Sequence, residues 1–322
     1  PVNITKQVKL PEWSFILQGP GKGITMSDGT LVFPAQYQDP PNATNKKANR
    51  LPHSTLIYSQ DHGATWKCAK GAWDDTTESQ IVELSAGRLM INCRNNRASR
   101  RAVMTSNDMG TTWQKHSTHV KDLIEPGSCM ASLINVSREL SVRDLKSPLD
   151  DLLLFSNPDS LRERSHITIK ASKDLGESWP AKHHLLLDEQ RGAGYSCMSM
   201  IDDETVGILY EGSQAHMTFQ RVKLADILEP PPNQKTKNPA LVSLQLKQAS
   251  RDTVRFARPF TDHMVLQAGQ PIRVWGTARP STDVRVQFGQ AEGSKTVRAD
   301  TRGNWIAELD TQAVSKKPRT IK

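Results

Sequence analysis

A chain of 322 residues is long enough for about two domains and a real hydrophobic core. With 42 Lys and Arg against 34 Asp and Glu, its net charge of +8 would suit nucleic acid, an anionic surface or an anionic small substrate, but no basic run is interleaved with aromatic residues, so no nucleic acid partner is expected. No apolar run approaches the roughly 20 residues of a membrane span, and the opening PVNITKQVKLPEW is neither a signal peptide nor a plausible native start, so the chain reads as part of a longer polypeptide.

In chain order, GITM and TLVFPA (residues 23–35) flank the turn SDG, and the polar, Pro-interrupted stretch 36–53 reads as a long loop. HSTLIY (53–58) runs into SQDHGATW (59–66). The hairpin SQIVEL-SAG-RLMINC (79–93) and the strand RAVMT (101–105) lead to SNDMGTTW (106–113). DLLLF (151–155) and HITIKA (166–171) lead to SKDLGESW (172–179), and YSCMSM-IDDE-TVGILY (195–210) makes a further hairpin. No convincing amphipathic helix precedes residue 220.

The three SxDxGxxW copies are a repeat, each closing a β-like run. In each, Asp can cap turn N–H groups, Gly can take a positive φ, and Trp can pack into the blade. Four units result, at about 13–66, 78–113, 129–179 and 195–222. Evenly spaced short strands in four-stranded units predict a β-propeller in preference to a sandwich. Cys68, Cys93, Cys129 and Cys197 lack CxxC spacing and read as buried free thiols.

Hairpin arithmetic places the polar residues. Glu78 and Arg94 each lie eight residues from the turn centre at Ala86, and Tyr195 and Glu211 each lie eight from Asp203. Each pair therefore faces across a hairpin mouth. The chain returns from Arg94 along RAVMT to a box, so the boxes occupy the opposite rim. Arg164 precedes HITIKA in the same way. Glu78, Arg94, Arg164, Tyr195 and Glu211 are thus expected on one rim, with the 36–53 loop above it as a lid or substrate-contacting loop.

Singly, these residues would be solvated arginines and a structural Tyr–Glu contact. Together they suggest more, because paired guanidinium forks suit a carboxylate-bearing ligand. A tyrosine with a pKa of about 10 is a poor nucleophile unless a carboxylate takes its proton and cations favour the phenolate. It would suit a sugar whose own carboxylate repels an anionic nucleophile.

The boxes, with FPAQ, ESQIVEL, MINCR, LLLFSNP, GYS and ILYE, resemble glycoside hydrolase family 33, the exo-sialidases, over residues 13–228. The resemblance implies an all-β fold, an incomplete six-bladed β-propeller of which this chain holds the C-terminal four blades, and retaining hydrolysis of terminal α-linked sialic acid. It implies Tyr195 as nucleophile, Glu78 as its base, Arg94 and Arg164 as carboxylate-binding arginines (with Arg162 as the alternative to Arg164), and Glu211 as the carboxylate orienting the family's first arginine. That first arginine, of an RIP-like motif, and the Asp general acid/base have no match here. Asp39, Asp74 and Asp75 could lie near the rim but fit no motif. Expected partners are sialylated glycans and the protein's own N-terminal propeller fragment, without which the chain is expected to be inactive. No cofactor or metal is expected. A non-catalytic sialic acid-binding propeller is the alternative reading, and a purely structural scaffold a third.

The propeller is expected over residues 1–229, followed by a Pro-rich linker (230–256) and a small β-sandwich-like domain (257–322) with strands HMVLQ, PIRVWG, DVRVQF, KTVRAD and NWIAEL. Its opening resembles the first β-domain of sialate O-acetylesterases over about 65 residues, although no GDS-type nucleophile motif follows. An immunoglobulin-like spacer or carbohydrate-binding module fits equally. The substrate class implies a bacterial periplasmic or secreted location.

Overall fold

Alternating apolar segments closed by tight turns fold as antiparallel hairpins, and successive hairpins build one sheet after another. The computed structural model describes residues 2–40, 51–142, 145, 150–213, 217–229, 254–257, 260, 269, 271–289, 292–301, 303–311, 313, 315 and 319–322. The chain divides into two units, residues 1–236 and 237–322.

Among its described residues the first unit contains four sheets, each antiparallel throughout. The first comprises β1 (Ile16–Gln18), β2 (Ile24–Thr25), β3 (Leu31–Gln38), β4 (Pro52–Ser59), β5 (Lys67–Cys68) and β6 (Trp73–Asp74). A meander follows, with β7 (Thr76–Ser85), β8 (Arg88–Asn95), β9 (Ala102–Ser106) and β10 (Gln114–Lys115) side by side in chain order. The third sheet repeats it with β11 (Ser132–Asn135), β12 (Leu153–Pro158), β13 (Ile167–Ser172) and β14 (His184–Asp188). The fourth has β15 (Ser196–Met200), β16 (Thr205–Tyr210) and β17 (Thr218–Lys223).

Consecutive sheets stack face to face, and the two-residue period of each strand feeds two cores at once. Ile81 and Ile91 pack toward the first sheet with Val32 and Leu56, whereas their neighbours Val82 and Met90 pack toward the third with Leu153 and Phe155. Leu154 and Ile169 of the third sheet meet Met198 and Ile208 of the fourth. Strands buried on both faces explain the nearly unbroken apolar runs.

The boxes are the turns between third and fourth strands. In the first, Asp61 accepts from Thr65 N–H at 2.9 Å and from Thr65 Oγ1 at 2.5 Å, while Ser59 Oγ accepts from Gly63 N–H at 2.8 Å. Asp108 repeats this on Thr112 and Asp174 on Ser178. Gly63, Gly110 and Gly176 take φ values of 90°, 74° and 90°, a left-handed conformation that glycine adopts without steric cost. The fourth strands β5, β10 and β14 follow the boxes, so the units extend beyond the tryptophans that the sequence pattern treats as their ends. Two-residue strands such as β5 and β10 are too short to show alternation. The tryptophans also do more than pack into their own blade. Trp113 Nε1 donates to the Lys70 carbonyl at 3.0 Å, and Trp179 meets Phe155 edge-on at 5.8 Å within the core between the second and third sheets.

Three further expectations need correction. Residues 36–38 and 52–53 extend the paired strands β3 and β4, with Gln36 opposite Ser54 and Tyr37 opposite His53, so the lid expectation reduces to the segment around 41–50, which lies outside the described residues. Short helices occur at α1 (Thr5–Val8) and α2 (Val136–Ser141). The Asn135 side chain caps α2 by accepting from Arg138 N–H at 3.3 Å, and six residues are too few to display a helical period. Cys197 is exposed and Cys68 half-buried, whereas Cys93 and Cys129 are buried. Cys197 lies across from Leu209, which in turn faces Phe219, on the outer face of the fourth sheet, and all three are exposed.

In the second unit β18 (Arg255–Phe256), β19 (Ile272–Thr277) and β22 (Asn304–Leu309) form one sheet, and β20 (Asp283–Phe288) and β21 (Glu292–Arg298) another. One core joins them through Val274, Val286, Phe288, Trp305 and Ala307, a small sandwich-like arrangement. β18 falls inside the segment read as linker, and HMVLQ lies outside the described residues. No helix among the described residues is long and apolar enough to cross a membrane.

Candidate active site

The strands β7, β11 and β15 touch in succession, and each begins its sheet or, for β7, its meander. Their N-terminal ends carry the polar residues. Glu78 sits in β7 where the ladder slips between Thr76 and Ser79, opposite the C-terminal end of β8 and Arg94. Tyr195 precedes β15, and its carbonyl accepts from Glu211 N–H at 2.9 Å. That bond continues the β15–β16 ladder to the hairpin mouth.

The side chains converge. Tyr195 Oη donates to Glu78 Oε1 at 2.5 Å, and Arg94 Nη1 donates both to Glu78 Oε2 at 2.6 Å and to Tyr195 Oη at 3.2 Å. Arg164 lies over the Tyr195 ring, 5.4 Å from its centroid. Its Nη1 donates to the Ala193 carbonyl at 2.8 Å and its Nη2 to the Ser128 carbonyl at 2.7 Å. Glu211 Oε2 accepts from Tyr195 N–H at 3.2 Å. Arg162 is exposed on the same loop as Arg164. The other four expected site residues therefore gather around Tyr195, Glu78, Arg94 and Glu211 through hydrogen bonds and Arg164 over its ring.

Burial, followed by the hydrogen bond and the charge of Glu78, pushes the Tyr195 phenol up to about 12, against the opposing pull of Arg94 and Arg164. The arginines thus do not produce a resting phenolate. The phenol holds its proton and points it at Glu78. Arg94 Nε is buried with no hydrogen-bond partner.

The three aspartates considered for the rim are otherwise engaged. Asp39 Oδ2 lies 2.8 Å from His53 Nε2, and Arg97 bridges Asp74 at 2.9 Å and Asp75 at 3.0 Å. Among the described residues no group of three or more His, Cys, Asp or Glu side chains could hold a metal ion. Sequence reasoning missed the carbonyls of Ser128 and Ala193 that hold Arg164. The Pro126-Gly127 turn signal marks the first of these loops without revealing what its carbonyls do.

A family model described as a BNR repeat-like domain matches residues 2–174. The chain belongs to this family. This BNR repeat-like chain is 51% identical over 229 residues to a sialidase of Bacteroides fragilis, covering 71% of the chain and 40% of the relative. It is 32% identical over 212 residues to a sialidase of Paraclostridium sordellii, covering 61% of the chain and 48% of the relative. The solved Hadza microbial sialidase Hz136 superposes with a TM-score of 0.63 at 52% identity, covering 71% of this chain and 42% of that one. The fold is that of the sialidase β-propellers, and the chain spans less than half the length of these relatives.

Proposed function

We propose that the chain carries most of the active site of an exo-α-sialidase that releases terminal α-linked sialic acid with retention of configuration. The observation that carries this reading is the Tyr195 Oη–Glu78 Oε1 hydrogen bond of 2.5 Å, flanked by two arginines. The similarity to sialidases supports the same reading.

Arg94 and Arg164 grip the substrate carboxylate. Tyr195 Oη attacks the anomeric carbon as its proton passes to Glu78. The bond from that carbon to the glycosidic oxygen breaks, and the leaving oxygen takes a proton from a general acid. Water then attacks the anomeric carbon of the tyrosyl intermediate and gives a proton to the conjugate base of the general acid, while the bond from that carbon to Tyr195 Oη breaks and Glu78 returns its proton to the phenol oxygen. A neutral phenol approaches a carboxylate-bearing carbon without the repulsion that an Asp or Glu nucleophile would meet.

The general acid and a third arginine, which Glu211 orients, belong to an upstream propeller segment of the same protein, and the alignment over only 40% of the Bacteroides fragilis relative supports a larger parent. The substrate is a sialylated glycan and the location periplasmic or secreted. The second unit fits the opening domain of a sialate O-acetylesterase in the parent protein and an immunoglobulin-like spacer or carbohydrate-binding module equally, and acetyl release by the full-length protein would distinguish them.

The test is hydrolysis of a fluorogenic α-sialoside by this chain, alone and mixed with the upstream segment. Activity in the mixture that disappears with Tyr195→Phe is the expected result. Binding without turnover in a folded mixture would favour a sialic acid-binding propeller instead.

A further inference from the structure

Arg94 stands in β8 and Arg164 in the loop between β12 and β13, yet both are tied to one buried ion pair that the chemistry above does not use. Arg101 Nη1 meets Glu125 Oε2 at 2.7 Å, and both side chains are 0% exposed. Arg101 spends its remaining donors on Asn92, through Nε to Oδ1 at 2.7 Å and Nη2 to the carbonyl at 3.0 Å, and on the Cys129 carbonyl at 2.8 Å. The second oxygen of Glu125 accepts from Asn95 N–H at 3.1 Å.

These contacts lead to the site from both sides. Asn95 follows Arg94 in the chain. Cys129 follows Ser128, whose carbonyl holds Arg164 Nη2. The intervening turn has Gly127 at φ 58° and Ser128 at φ 68°, and a non-glycine residue keeps a left-handed conformation only where its surroundings over-determine it. Cys129 Sγ also reaches the carbonyl of Gly194, beside Tyr195, at 3.6 Å. Apolar replacements for a buried ion pair are often as stable as the pair or more so.

We propose that Arg101 and Glu125 are positioning residues that set the spacing of the Arg94 and Arg164 guanidinium groups, Glu125 through the Asn95 amide and Arg101 through the 127–129 turn. The proposal rests on the reading of those arginines as carboxylate ligands.

The test replaces both charges with apolar side chains, Arg101→Met with Glu125→Leu, in the 322-residue chain. Melting is followed by circular dichroism, binding of methyl α-sialoside and of its C1 methyl ester by NMR titration, and side-chain positions by crystallography. The wild type should prefer the acid over the ester by about tenfold or more, as charge-assisted hydrogen bonds require. The double variant should melt as a folded protein, lose about fivefold or more of that preference, and show Arg164 displaced from the Ser128 carbonyl. A folded double variant with undisturbed arginines and intact preference would overturn the proposal. If the wild type shows no preference for the acid, the carboxylate reading fails, and the arginine positions in the crystal structure alone decide on positioning. If the double variant does not fold, Arg101→Lys decides, because it keeps a charge for Glu125 and loses the fork onto Asn92 and Cys129. It should bind the acid more weakly with ester binding unchanged, and unchanged acid binding would overturn the proposal.

Discussion

Tyr195 and Glu78 lie 117 positions apart in sequence and at the N-terminal ends of β15 and β7 in different sheets, yet their side chains share a 2.5 Å hydrogen bond. Stacking the second, third and fourth sheets face to face brings the N-terminal ends of β7 and β15 to the same point. The phenol that results is buried enough to stay protonated and hydrogen-bonded to a carboxylate.

Tyr195→Phe should abolish sialoside hydrolysis by the chain joined to its upstream segment, by about a thousandfold or more, because it removes the attacking atom. Thermal unfolding should shift by no more than about 3 kcal/mol, since Glu78 keeps Arg94 and only the two hydrogen bonds of the phenol, to Glu78 and from Arg94, are lost. A large loss of stability alongside the loss of activity would mark Tyr195 as structural.

Glu78→Gln removes the charge that disfavours the phenolate while leaving Arg94 and Arg164 in place. The Tyr195 pKa should therefore fall from about 12 toward the ordinary value of about 10. Phenolate absorbance in an alkaline titration, with Tyr195→Phe as the difference spectrum, reads this directly. Hydrolysis should drop by roughly 10²–10⁴-fold, the contribution typical of a general base.

The box aspartates Asp61 and Asp108 are held at about 2 by hydrogen bonds from Thr65 and Thr112, respectively, and Asp174 is also lowered by its hydrogen bonds, although burial acts against them. A folded pKa below the unfolded value of about 3.9 stabilises the native state above that pH. The contribution is lost as pH falls from about 4 toward about 2. Asp61→Ala and Asp108→Ala should lower the melting temperature at pH 7 and narrow the gap to wild type at pH 2, as measured by calorimetry across that range.

Iodoacetamide should label Cys197 first in the native chain, because it is exposed while Cys93 and Cys129 are buried and burial pushes their thiols up to about 12 and about 11. Cys197 shares an exposed row with Leu209 and Phe219. If upstream blades pack on that face, adding the upstream segment should slow labelling, as followed by peptide mass spectrometry. Unchanged labelling in an assembled, active mixture would place the upstream segment elsewhere.

Much of this site was legible because hairpins are symmetric about their turns. Counting eight residues out from Asp203 pairs Tyr195 with Glu211, and the ladder keeps that register from Ser196 to Met200. Counting from Ala86 works for Glu78 and Arg94 despite slips at both ends of β7, because the central ladder pairs Ser79 with Cys93. The contact between Tyr195 and Glu78 could be placed only on a common rim, since distances between sheets depend on packing. The Arg101–Glu125 pair was invisible for a related reason. A buried arginine looks like a surface arginine in sequence, and only the stacked sheets exclude water from it. The protonation of Tyr195 was likewise hidden, because its strongest cause is burial.

The most direct test of Tyr195 as nucleophile is to incubate the chain and its upstream segment with a fluorinated sialosyl fluoride that slows release of the intermediate, then map the modified peptide by mass spectrometry. A sialosyl adduct on Tyr195 that is absent from Tyr195→Phe is the predicted result. An adduct on another residue, or turnover that survives Tyr195→Phe, would contradict the account.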